Sequence, residues 1–129
     1  MCLDSDCIIE FLRGNKEAVE IVQKYLDSLV TTEINVFEVF YGIYIHKNFS
    51  KAEEEHAQGF FNTIEVLPFA KPMGKLSAEI AADLIKNGKQ IEQNDSLIAA
   101  ILLQNGVQKI ITRNHKHFSR IRGLDVLQY

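Results

Sequence analysis

Cysteine is scarce in this chain and long apolar runs are absent, and each shortage narrows what the protein can be. The only thiols are Cys2 and Cys7, too few for a disulfide framework and without a histidine at zinc spacing. They read as buried small hydrophobes of a protein kept in a reducing cytosol. The longest uninterrupted apolar run, Leu97 to Leu103, is far short of the roughly 20 residues a membrane span needs. Met1-Cys2-Leu3-Asp4 shows no basic region leading into an apolar stretch, so no signal peptide is expected. The chain has only two prolines and no low-complexity segment. At 129 residues and 47% hydrophobic, it has the length and composition of one globular domain, able to fold without a disulfide or structural metal.

A net charge of −3 excludes a non-specific nucleic-acid coat protein, yet the charge is uneven. Lys109, Arg113, Lys116, Arg120 and Arg122 fall with His115 and His117 in one stretch without an acid. Glu53-Glu54-Glu55 is the opposite extreme and reads as a solvated helix face.

Apolar residues at helical spacing dominate, interrupted by short β-prone runs. Met1 to Asp4 leads into a helix through Cys7, Ile8, Phe11 and Leu12, which Gly14 stops. A second helix is expected from Asn15 to Asp27, then a strand over Leu29 to Thr31. Thr32 caps the next helix, which ends near His46. A helix over Ser50 to Asn62 precedes a strand at Ile64 to Leu67, closed by Pro68. Lys75 to Asn87 reads as a helix stopped by Gly88, and another opens at Asn94 and ends before Gly106. Lys109 to Thr112 is a strand, and Val126-Leu127 a last one. Strands alternating with helices imply a short, mostly parallel sheet covered on both faces, a three-layer α/β/α domain over residues 1–129. Ligands of such sheets bind at the carboxyl ends of the strands, where the topology reverses.

Four polar residues are expected at that crevice. Asp4 follows the first strand, with Ser5 and Asp6 as further caps for the same helix. Glu38 sits in a helix apolar almost all round, read as largely buried, with no Lys or Arg within one turn. An unpartnered carboxylate there is costly. Asp95 opens the helix at Asn94-Asp95-Ser96, where a first-turn acid is favourable in any case, and Asn114 follows the strand ending at Thr112. Clustered carboxylates repel one another unless a divalent cation lies between them. Oxygen ligands favour Mg²⁺ or Mn²⁺ over zinc. Such an ion polarises a phosphate oxygen and activates a water for in-line displacement. The basic stretch around Asn114 suits the phosphates of a nucleic acid.

These segments also resemble the motifs of VapC-type PIN domains. Leu3-Asp4-Ser5-Asp6-Cys7-Ile8-Ile9-Glu10-Phe11-Leu12-Arg13-Gly14 is similar to their opening, and Thr32 to Gly42, with Glu38, to the second motif. Asn94-Asp95-Ser96-Leu97-Ile98-Ala99-Ala100 resembles the third. Thr112-Arg113-Asn114-His115-Lys116-His117-Phe118, with Ile121-Arg122-Gly123-Leu124 after it, resembles the fourth and its tail. The resemblance implies a Rossmann-like sheet with Asp4, Glu38 and Asp95 as catalytic metal ligands for Mg²⁺ or Mn²⁺, and Ser5 beside them. It implies endonucleolytic cleavage of RNA to 3′-hydroxyl and 5′-phosphate ends, a cognate antitoxin that occludes the site, and a homodimer. Many relatives carry an acid where this chain has Asn114 or His117; Asn114 contributes an amide oxygen at most, and Asp6 is a candidate for the missing charge. Arg113, Lys116, Arg120 and Arg122 are the candidate RNA contacts, Arg113 foremost. No dedicated protein base is expected, and His115 and His117 read as exposed loop histidines. Two other readings stay open: a PIN-like RNA- or protein-binding module whose site has lapsed, and a phosphatase using Asp4-Ser5-Asp6 as a DxD motif.

Overall fold

The computed structural model describes all 129 residues. Its centre is a five-stranded sheet with strand order β3-β2-β1-β4-β5 and every neighbouring pair parallel. The strands are short: β1 (Cys2–Leu3), β2 (Val30–Thr32), β3 (Glu65–Leu67), β4 (Lys109–Ile111) and β5 (Asp125–Leu127). Helices α1 (Ser5–Leu12), α2 (Lys16–Tyr25), α3 (Glu33–Tyr44) and α4 (Lys51–Phe61) come before β3 or beside it in the chain. Helices α5 (Met73–Lys86), α6 (Gln93–Gln104) and the short α7 (His115–Phe118) follow.

Alternation along the central strands builds two cores. Successive strand residues face opposite sides of a sheet, so Cys2 and Ile110 join a core with α5, α6 and Phe118. Leu3 and Ile111 join one with Ile8, Val22, Val39 and Phe60 from α1 to α4. This is the three-layer arrangement that the alternation of strands and helices predicts. Helix ends fall where cap chemistry puts them: Asn15, Thr32 and Ser50 accept N–H bonds from the first turns of α2, α3 and α4. Gly14 takes a φ of +80° just past α1, which an L side chain resists. Cys2 and Cys7 are free and buried, and no helix is long and apolar enough to cross a membrane.

Two expectations are corrected. Helix α3 is not buried all round: Phe37, Tyr41 and Ile45 form an outward stripe, 57%, 56% and 61% exposed. Asn35 and Val39 make the inner face, and half-buried Glu38 stands at its border. The segment around His115 is a helical turn rather than an open loop, because buried Phe118 pins α7 to the core beside α6.

Candidate metal centre

The sheet grows from β1 through β2 to β3 on one side, and β4 then returns to the other side of β1. The carboxyl ends of β1 and β4 therefore open a crevice at the point of reversal. Asp4 stands directly after β1 and Thr112 directly after β4, and the Thr112 hydroxyl donates to Asp4 Oδ2 at 2.6 Å. Asp4 Oδ1 accepts from the Ser5 N–H and from Asn35 Nδ2, both at 2.9 Å. Asp4 thus caps α1 and ties two strands together. It is only 6% exposed. Burial, reinforced by the charge of Asp6, pushes its carboxyl up to about 7 against the pull of its donors.

Asn35 reaches Asp4 because of the cap on α3. Thr32 and Asn35 bond each other's backbone N–H reciprocally, which fixes the amide so that Nδ2 also donates to Ser5 Oγ at 2.9 Å. One helical turn on, Glu38 Oε1 accepts from the same Ser5 hydroxyl at 2.6 Å, and Oε2 lies 3.4 Å from Asn94 Nδ2. Partial burial raises the Glu38 carboxyl; the Ser5 and Asn94 donors lower it, and the charge of Asp95 raises it further.

Asp95, in the first turn of α6, is 5% exposed. Its Oδ2 accepts from Asn114 Nδ2 at 2.9 Å and lies 2.8 Å from His117 Nδ1. Burial raises its carboxyl, while the His117 contact lowers it. No group of the chain donates to Oδ1, and because no buried side-chain oxygen lacks a partner, Oδ1 reaches solvent.

Asp4 at the end of β1, Glu38 in the second turn of α3 and Asp95 in the first turn of α6 therefore come together. Glu38 feels the charge of Asp95, and Asp4 that of Glu38. None has a lysine or arginine partner: the chain's ion pairs are Arg13–Glu10, Lys51–Glu54, Lys75–Glu79 and the imidazole of His117 against Asp95. No three His, Cys, Asp or Glu side chains converge as direct ligands of one point. The hard oxygen donors and the solvent-facing Oδ1 fit a divalent cation that keeps part of its water shell, as Mg²⁺ does.

A model of the PIN domain family matches residues 1–124. The chain belongs to the PIN domain family. It is 31% identical over 135 aligned residues to ribonuclease VapC1 of Rickettsia felis, covering 98% of this chain and 94% of that protein. Its fold matches the crystal structure of VapBC2 from Rickettsia felis bound to a promoter DNA fragment with a TM-score of 0.87, at 19% identity, over 99% of this chain and 97% of that one. VapBC-1 from nontypeable Haemophilus influenzae matches with a TM-score of 0.80, at 25% identity, over 98% and 96%. The resemblance of the chain to VapC-type PIN domains is thereby borne out.

The remaining candidates of this PIN domain are dispersed. Asp6 Oδ2 accepts the Arg113 N–H at 2.9 Å and lies 3.2 Å from the Thr112 hydroxyl, so Asp6 clamps α1 to the end of β4. The Arg113 guanidinium lies over the Tyr129 ring, 4.7 Å from its centre. Lys116 is exposed on α7. Arg120 donates to the Gln90 carbonyl at 2.8 Å, and with Arg122 it lines a groove shared with Asn87 and Lys89 that contains none of the three carboxylates. Sequence reasoning passed over Asn35, Asn94 and Thr112. Asn35 had a signal, an amide three residues after the capping Thr32; Asn94 and Thr112 look like ordinary cap and strand residues.

Proposed function

We propose that this PIN domain is an endoribonuclease that uses Mg²⁺ or Mn²⁺ and serves in the cytosol as the toxin of a toxin–antitoxin pair. The observation that carries this reading is the crevice in which Asp4, Glu38 and Asp95 lie wholly or half buried, Glu38 within reach of the charge of both others and none with a Lys or Arg counterion. Charges so placed are costly unless a cation shares them. The ribonuclease named among its relatives supports the same reading.

When bound, the ion supplies Lewis-acid polarisation of the phosphodiester and a more acidic water. The chain's own residues do the rest. Asp4, Glu38 and Asp95 offer ligand oxygens, to the ion or to its waters. Ser5 fixes Glu38 Oε1, and Asn114 completes the rim by holding Asp95 Oδ2. Asp6 adds negative potential but spends one oxygen on Arg113. Arg113 and Lys116 guide backbone phosphates into the crevice, and Arg120 and Arg122 extend that track outward. The bond cut is the one to the 3′-oxygen, leaving a 3′-hydroxyl and a 5′-phosphate. A cognate antitoxin covers the crevice, and the domain pairs with a second copy. The VapB partners in the names of the solved neighbours support the first of these.

The test is cleavage of mixed tRNA and rRNA by purified wild type and Glu38→Gln, with Mn²⁺ and with EDTA, both proteins shown folded by circular dichroism. Discrete fragments are expected only from wild type with Mn²⁺. Equal cleavage by both proteins would refute the site. RNA bound but uncut at every metal concentration would favour a lapsed module instead.

A further inference from the structure

The proposed chemistry leaves without a role the contact of His117 on Asp95. His117 lies in α7, next to Phe118, whose side chain is wholly buried among Ile110, Ile121 and the residues of α6. Its backbone is therefore held by the core, and its imidazole is only 22% exposed. Nδ1 lies 2.8 Å from Asp95 Oδ2 and 3.0 Å from Asn114 Nδ2. The Asn114 amide nitrogen lies 2.9 Å from the same Oδ2.

Donor and acceptor counting assigns the proton. As a metal ligand Asp95 is ionised and its oxygens carry no proton, so a bare Nδ1 would set two lone pairs against each other across 2.8 Å. Nδ1 therefore carries hydrogen and donates to Asp95. The Asn114 amide donates to that oxygen as well, so both donors fall on Oδ2 and neither on Oδ1. An aspartate held at one oxygen by two donors cannot turn freely about its last bond. Its other oxygen, which has no donor in the chain and is open to solvent, then keeps a fixed direction.

We propose that His117 is a positioning residue: its Nδ1–H, together with the Asn114 amide, locks Asp95 so that Oδ1 is the oxygen presented to a divalent cation. This rests on the reading of Asp95 as a metal ligand given above. The role needs only a hydrogen-bond donor and no transfer of a proton. Groups that orient a ligand in this way typically change metal affinity by about 10- to 100-fold.

The test is a titration of the metal-free protein with Mn²⁺, reading free ion by electron paramagnetic resonance, for wild type, His117→Ala, His117→Asn and His117→Gln. Circular dichroism checks that all four are folded. The Asn amide nitrogen can occupy the place of Nδ1, whereas the longer Gln amide reaches toward the place of Nε2. The expected result is about 10- to 100-fold weaker Mn²⁺ binding by His117→Ala, recovery in His117→Asn, and no recovery in His117→Gln. Wild-type affinity in the Ala variant would overturn the proposal, as would an Asn variant no better than Ala, or rescue by Gln alone. If wild type itself took up no Mn²⁺, both this proposal and the metal-dependent reading of the crevice would fall. If wild type bound and the Ala variant matched it, only the role of His117 would.

Discussion

The carboxylates of the crevice and the cations of the basic stretch show opposite relations between sequence and space. Ser5 and Glu38, bonded at 2.6 Å, are 33 residues apart, and Asn94 comes to Glu38 across 56. The cations from Lys109 to Arg122 share one short stretch, yet they part company. Lys109 opens β4, Arg113 lies over Tyr129, Lys116 is exposed on α7, and Arg120 is tied to Gln90. A parallel sheet explains the difference. Residues that follow strands, or lie in the first two turns of the helices that start there, are gathered at one end of the sheet whatever their separation. A strand, a turn and a short helix in succession fan neighbouring side chains outward.

If the gathered acids form the chemical centre, breaking one of them has the largest effect. Asp95→Asn should lower Mn²⁺-dependent RNA cleavage by more than about 100-fold, whereas Arg120→Ala should leave the cleavage rate within about threefold, measured at saturating RNA. The dispersal of the cations predicts unequal losses among them. Arg113→Ala should weaken RNA binding by about tenfold, the worth of one charge-assisted contact, and lower the salt slope by about one. Lys109→Ala, at the far end of β4, should change neither. Filter binding across a salt series reads both.

The comparison sharpens further if an acid is added. Asn114→Asp would replace a donor on Asp95 Oδ2 with a second carboxylate. The metal-free protein should then melt lower, by about 4 °C for each kcal/mol of repulsion, and gain more than wild type from Mn²⁺.

A separate effect concerns pH. Asp4 is raised from 3.8 to about 7 in the folded protein. Between those values the folded state keeps a proton that the unfolded chain has released. The stability of the metal-free protein therefore falls as pH rises through that window, and the full penalty is present above it. Asp4→Asn, whose amide keeps the acceptor for Ser5 while the Thr112 hydroxyl turns to accept, should show a flatter slope of melting temperature against pH.

Much of this was legible where the chemistry is local. Asn15, Thr32 and Ser50 announce their helices because a side-chain oxygen satisfies the first free N–H groups, and Gly14 marks an end that needs a positive φ. Asp4, Glu38 and Asp95 were nameable because each is a carboxylate at a strand end or helix border in a recognisable motif. The outward stripe of α3 was not legible, since an all-apolar helix reads the same whether its second face is packed or bare. The part played by His117 was hidden for another reason. Asp95 is 22 residues away, and four residues of α7 are too few to show a helical period.

The central claim is that topology has assembled three carboxylates around the place of a divalent cation. Its most direct test is the melting temperature of metal-free wild type and Glu38→Gln with and without millimolar Mn²⁺. The account predicts a rise of several degrees for wild type by linkage, with Glu38→Gln melting higher than wild type before the ion is added and gaining little from it. A wild type indifferent to millimolar Mn²⁺, or a Glu38→Gln variant that gains as much, would contradict it.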